Sequence, residues 1–354
     1  MKGLSSKDRM ILGGAILATL LAGFLGHDRI GPVPAFLSSG LALSLLAVVV
    51  GEATDHLGSR MSPGATGVLQ SGLGNLPELF VCIFSLKAGL VDVVKGALAG
   101  SILANSLLVL GIAITVGGVK HGTQKFSSEP PKMMATLMLV ATAALIMPTL
   151  AHELHTPASQ HEVPFSAAVA VVLLIIFICT VPFFIKGNPA VTPAPHDSPE
   201  HAWPLGTSMA ILAVAGVGAA FVSEWFVAAL EPATKAMGLS QAFSGLVVVA
   251  IAGNAIENLV GIQLAARNKP DYAMSVVLNS SLQIALALTP LLVLASFVIG
   301  STPLTLVLPP LLVVGLVLAS VISAFIVYDG ESIWLEGVAL IGLYAIIVSA
   351  FWWG

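Results

Sequence analysis

Apolar runs, each about as long as a bilayer is thick, follow one another along the chain with short polar breaks. A membrane span needs about 20 mostly apolar residues. Eleven runs fit, at 9–26, 34–54, 64–86, 93–117, 133–150, 164–185, 205–229, 241–265, 272–299, 303–327 and 333–353. The run 93–117 is broken by Gly111, and 272–299 is long enough to tilt or bend. The expected fold is an all-α polytopic membrane protein of eleven transmembrane helices. The first 26 residues look like a signal peptide, but no small-residue cleavage site follows, so they read as a retained first span. Between the sixth and seventh runs, Gly187–Pro204 is rich in Pro, His, Asp and Ser and reads as a disordered linker.

Composition excludes a soluble domain. Hydrophobic residues make up 57% of the chain and charged ones only 9%, against roughly 25% charged in soluble domains. The net charge of −4 gives no reason to expect nucleic-acid binding. Cys82 and Cys179 lie in apolar segments and read as reduced packing residues. Ten of the fourteen Lys and Arg residues fall on the side of the membrane that holds the N-terminus. The positive-inside rule therefore puts the N-terminus and linker in the cytoplasm and the C-terminus outside.

An internal repeat appears at a shift of 179 residues. Gly74, Asn75 and Glu78 fall on Gly253, Asn254 and Glu257; Asp92 falls on Asp271, Ser101 on Ser280 and Glu52 on Glu231. Polar residues are rare inside spans, so several agreeing at one offset carry weight. The shift equals five spans, an odd number, so the two copies run in opposite directions through the bilayer. The expected organisation is a first helix (1–30), a five-helix repeat (31–186), the linker (187–204) and a second, inverted five-helix repeat (205–354). Inverted repeats are a signature of secondary transporters whose binding site lies near the midplane.

Two motifs carry the chemistry, Gly74-Asn75-Leu76-Pro77-Glu78 and Gly253-Asn254-Ala255-Ile256-Glu257. Each places an amide and a carboxylate three residues apart on one helical face. A charge at mid-membrane costs at least ~2.5–3.5 kcal/mol. One divalent cation or two protons neutralise a pair of carboxylates. Such a site crosses loaded with either and resists crossing empty, which is the physical basis of exchange. Oxygen-only ligands suit a hard ion such as Ca²⁺. Asn75 and Asn254 offer side-chain carbonyls, and Gly74, Gly253 and Pro77 weaken the helix so that backbone carbonyls can join them. Ser101, Asn105, Ser280 and Gln283 either line the site or bond between helices. Glu52 and Glu231, at the ends of spans two and seven, are candidates for entrances, and Glu224 for a proton path, with plain interfacial roles as the alternative. Asp92 and Asp271 read as helix caps, and Ala151–Pro164, with its three His and two Glu residues, as a solvated loop. No Walker loop or Gly-x-Ser-x-Gly nucleophile motif is present, and neither an enzyme activity nor a cofactor is expected.

These motifs resemble those of the calcium/proton exchanger (cation/proton antiporter) family of the calcium/cation antiporter superfamily. GLGNLPELFVCIFSLKAGLVDVVKGALAGSILANSLLVLG (72–111) and VVVAIAGNAIENLVGIQLAARNKPDYAMSVVLNSSLQIALALTPLLVL (247–294) carry the resemblance, with a further match at 329–353. It implies eleven spans, one plus two inverted sets of five, with Glu78 and Glu257 as ion-binding glutamates. The supporting polar residues are Asn75, Asn254, Ser101, Asn105, Ser280 and Gln283. It also implies Ca²⁺ and H⁺ as transported ions and a homo-oligomer as one assembly open to the chain. Leu76-Pro77, Ala255-Ile256 and Asn279 depart from the family pattern, and the linker lacks the family's acidic helix. The alternative is a sodium/calcium exchanger of the same superfamily. That branch tends to carry a hydroxyl residue in place of Asn75 and Asn254 and an extra acid near span nine, where this chain has neutral Gln283. A passive pore is the reading from a different class. A prokaryotic plasma membrane is expected, because the chain shows no long regulatory tail or targeting peptide.

Overall fold

The computed structural model describes residues 4–24, 31–60, 73–185, 203–300 and 302–352, without the side chains of 183–185 and of Ile256 and Glu257. Twelve helices dominate: α1 Ser6–Phe24, α2 Pro32–Gly58, α3 Leu76–Lys87, α4 Val91–His121, α5 Glu129–Glu153, α6 Glu162–Ile185, α7 Leu205–Met237, α8 Gln241–Gly253, α9 Ala255–Ala266, α10 Pro270–Ile299, α11 Pro310–Tyr328 and α12 Trp334–Trp352. A two-residue antiparallel strand pair, Gln124–Lys125 with Glu331–Ser332, joins two loops. Among the described residues eight helices are long and apolar enough to cross a membrane, and α8 with α9 forms a ninth span bent by 60°. The span expected at 64–86 lies partly outside the described residues, as do the linker up to residue 202 and the ends of the first run. Many side chains on the outer faces are apolar, including Val214, Phe325 and Ile346, as a lipid-facing surface requires.

Several sequence expectations need correction. Gly111 does not break its span. The irregularity in α4 is a π-helical stretch, Ala104–Val109, and Gly111 continues a regular helix in which an added methyl would strike the Gly337 carbonyl and Leu340. A matching π stretch, Ile284–Leu288, interrupts α10 at the same offset of 179, and a third, Ser244–Val249, lies in α8. Asp92 and Asp271 are not caps. The capping positions are Leu90 and Lys269, so each Asp lies inside the first turn, where it complements the helix dipole; Asp271 accepts a 2.6 Å hydrogen bond from the Ser127 backbone. Helices α2 and α7 outrun their expected limits, so Glu52 and Glu231 lie inside helices rather than at their ends.

The two halves interlock through their most crowded surfaces. A methyl on Gly100 would strike the Leu246 backbone, and one on Gly245 the Val93 carbonyl. Helix α4 therefore packs backbone to backbone against the π stretch of α8, which small residues permit in membranes. Residues 302–309 run without helix, with Leu304, Leu306 and Leu308 buried. Non-helical backbone at this depth must be satisfied by the protein. Ser296, Ser166 and Thr149 accept from the amides of Leu304, Leu306 and Leu308, Thr149 donates to the Leu306 carbonyl, and Lys95 donates to the Val307 carbonyl at 2.6 Å.

Candidate metal centre at the broken helices

Helices α3 and α9 begin and end 179 residues apart, and each starts directly after an asparagine outside helical geometry (Asn75 φ −85°, ψ 11°; Asn254 φ −105°, ψ 23°). Pro77 in the first turn of α3 has no amide hydrogen to give and suits that position. Glu78 lies one turn into α3 with 0% exposure. Its Oε1 accepts from the Ser101 hydroxyl at 2.5 Å, and its Oε2 from Asn254 Nδ2 at 3.4 Å. Asn254 Nδ2 also reaches Ser101 Oγ at 2.8 Å and the Ala250 carbonyl at 2.9 Å. Gly253 leaves room for this approach, since a methyl there would lie 3.1 Å from Glu78 Cβ. The carboxylate of one half is thus held by a hydroxyl of its own half and an amide of the other.

Around it the remaining predicted residues pair across the halves. Asn75 Nδ2 donates to Gln283 Oε1 at 3.4 Å, and Asn105 Nδ2 to Ser280 Oγ at 2.9 Å. All of them are buried. The carbonyl oxygens Oδ1 of Asn75, Asn105 and Asn254 are inaccessible and have no protein donor. A buried acceptor left unpaired costs about 1–3 kcal/mol. Three of them beside a buried carboxylate form an oxygen-rich, donor-poor set of the kind that hard cations select. Glu257 lies in the first turns of α9, and its side chain is outside the described residues.

The other acidic candidates stand apart from this centre. Glu52 bonds Lys7 at 3.0 Å, Glu231 bonds Lys235 at 2.7 Å, and Glu224 is exposed on α7. The expected solvated loop is partly helical: α5 runs to Glu153, a short 3-10 helix spans Pro157–His161, and His152 meets Glu162 at 2.6 Å.

Sequence reasoning missed three features. Ser106 and Ser281 pair at 3.0 Å across the halves, as do Thr142 and Ser320 at 2.7 Å. Asn258, one helical turn after Asn254, has a buried Oδ1 without a donor; its place directly after Glu257 was the available signal. Trp203 closes a polar knot between α1, α2 and the start of α7. It stacks on His56 at 4.1 Å, donates its indole N–H to Asp8 at 2.9 Å and its backbone N–H to His56 Nδ1 at 3.3 Å, and accepts from Arg60 at 2.6 Å. Ligand atoms of Asp8, Glu52 and His56 lie within 4.8 Å of one another. Lys7, Ser5 and Trp203 already occupy all three groups, so the knot is satisfied without an ion.

Comparison with known proteins agrees with this architecture. The model of the sodium/calcium exchanger protein family matches residues 32–186 and 207–353. The chain is similar to the Ca²⁺/H⁺ antiporter of Aphanothece halophytica, 34% identical over 351 residues and covering 94% of this chain and 93% of that protein. It is also similar to the Ca²⁺/H⁺ antiporter of Synechocystis sp., 35% identical over 343 residues and covering 91% of each. Among solved structures it resembles the Ca²⁺/H⁺ antiporter protein YfkE, with a TM-score of 0.84, 27% identity and coverage of 98% of this chain and 100% of that one.

Proposed function

The chain belongs to the sodium/calcium exchanger protein family, and from that premise we propose that it is a secondary antiporter exchanging Ca²⁺ for H⁺ by alternating access. One observation carries the reading: a fully buried Glu78, at a helix break, is hydrogen-bonded by Ser101 from its own half and Asn254 from the other. A buried ionised carboxylate is tolerated only when paired or neutralised. Two neutral donors leave its charge uncompensated, so a cation or a proton completes the site. Glu257 supplies the second carboxylate from the equivalent position of α9. Asn75, Asn105 and Asn254 contribute carbonyl oxygens, and Ser101, Ser280 and Gln283 orient them. One Ca²⁺ or two protons neutralise the pair, and the loaded forms cross while the empty one does not.

The neutral residues around the carboxylates favour protons over sodium. Coupling several Na⁺ ions benefits from further negative charge, whereas two carboxylates suffice for two protons. The names of the two relatives above support the same choice. We place eleven spans in the bilayer, one followed by two inverted sets of five. The N-terminus and linker face the cytoplasm, which fits the excess of Lys and Arg on that side. Glu52 and Glu231, whose Lys partners mark opposite ends of the bundle, lie where the two entrances belong. A prokaryotic plasma membrane fits a chain whose two relatives come from prokaryotes.

Flux in proteoliposomes tests the reading. Ca²⁺ uptake driven by an opposing proton gradient should stop when a protonophore collapses it, should be insensitive to sodium gradients, and should vanish in Glu78→Gln. Uptake at full rate without the gradient would indicate a pore, and sodium-driven uptake the sodium-coupled alternative.

A further inference from the structure

The polar lining continues beyond the carboxylate level. Asn258 stands four residues after Asn254 on the same face of α9, a face that continues through Gly261 and Ala265. That face turns toward the first half. A methyl on Gly261 would strike Val277 and lie 3.8 Å from Val109, and the Ala265 carbonyl lies 3.4 Å from where a methyl on Gly117 would stand. As numbering rises from 261 to 265 on α9, it rises from 109 to 117 on α4. The two helices therefore run in the same direction, and Asn258, one turn before Gly261, stands level with the π stretch Ala104–Val109 that carries Asn105.

Both amides present the same chemistry. Oδ1 of Asn258 and Oδ1 of Asn105 are inaccessible and lack a protein donor, and the Asn105 amide nitrogen is held by Ser280. One neutral carbonyl oxygen thus comes from each half, one turn along α9 from Asn254. A π stretch widens a helix and commonly marks a functional position. Neutral carbonyl oxygens replace water around a hard cation without trapping it as a carboxylate does.

We propose that Asn258 and Asn105 form a staging position for a divalent cation between the Glu78 centre and the side toward which α9 runs, the cytoplasmic side in the topology above. The inference rests on the exchange reading given above and adds a residue that sets how readily cytoplasmic Ca²⁺ reaches the carboxylates. Asn258 takes part in entry, and the charge balance of the loaded site does not involve it.

The test is proton-driven uptake of radiolabelled Ca²⁺ into inside-out vesicles, whose outer surface is the cytoplasmic face, over a range of Ca²⁺ concentrations. Asn258→Leu should raise KM about fivefold, the loss of one carbonyl ligand, while the rate at saturating Ca²⁺ is kept. Asn258→Asp, which keeps size and adds charge, should lower KM and carries the test alone if the leucine variant does not fold. KM within about twofold of the parent in every variant that folds overturns the proposal, as does an equal fall in saturating rate and in rate over KM, which marks a structural role. Glu78→Gln separates the two readings. Flux that survives Glu78→Gln removes the exchange site itself, whereas flux lost in Glu78→Gln with an indifferent Asn258 removes only the staging position.

Discussion

Replacing Gly253 with alanine puts a methyl group against the backbone of the helix that carries Glu78. The new carbon lies 3.1 Å from Glu78 Cβ, 3.4 Å from Cγ and 3.5 Å from Cα. Carbon atoms are comfortable at about 3.5–4.0 Å, so the two broken helices must part by a few tenths of an ångström. Glu78 cannot rotate away, because its Cβ is fixed by α3. Overpacking of this kind costs about 1–3 kcal/mol, and alanine in place of glycine in a helix returns at most ~1 kcal/mol. The strain falls on the ion site. The 3.4 Å contact from Asn254 to Oε2 is already at the limit of a hydrogen bond and is lost first. A net loss of about 1–2 kcal/mol corresponds to a Ca²⁺ affinity roughly 5–30-fold weaker. Calorimetric titration of the purified variant measures this directly. Gly342→Ala in α12 is the control, since a methyl there meets nothing within 4 Å, and its affinity should equal the parent's. Parental Ca²⁺ affinity in Gly253→Ala would refute the proposed contact between Gly253 and the ion-binding carboxylate.

Two further outcomes follow from the same geometry. Ca²⁺ binding should weaken as pH falls, because protons and Ca²⁺ contend for the same carboxylates. Each proton displaced makes apparent affinity change by about tenfold per pH unit below the titration range, so calorimetry at two acidic pH values giving one affinity would count against shared sites. Thr149→Val removes the donor to the Leu306 carbonyl and the acceptor of the Leu308 amide. It leaves two buried backbone groups unpaired at about 1–3 kcal/mol each, and a thermal melt in detergent should fall by several degrees, with an unchanged melt disproving that role for Thr149.

Much of this protein is legible along the chain. The apolar runs predict helices because lipid offers the backbone no partner, so each span must satisfy itself. The two Gly-Asn-x-x-Glu motifs stand out because polar groups are costly there. Their shared offset points to the carboxylate, amide and hydroxyl positions that the structure gathers around Glu78. Local pattern could not show that Asn254 of one half holds Glu78 of the other, that Gly100 and Gly245 let α4 and α8 touch backbone to backbone, or that Trp203 ties Asp8 to His56. Each depends on residues more than a hundred positions apart. The π stretches were equally hidden, since one extra residue in a helical turn leaves the apolar pattern unchanged. Burial is also a property of the whole bundle: the unpaired oxygens of Asn75, Asn105, Asn254 and Asn258 become costly, and so chemically informative, only once the surrounding helices have excluded water. Sequence determined which groups enter the membrane, and packing determined which of them face one another.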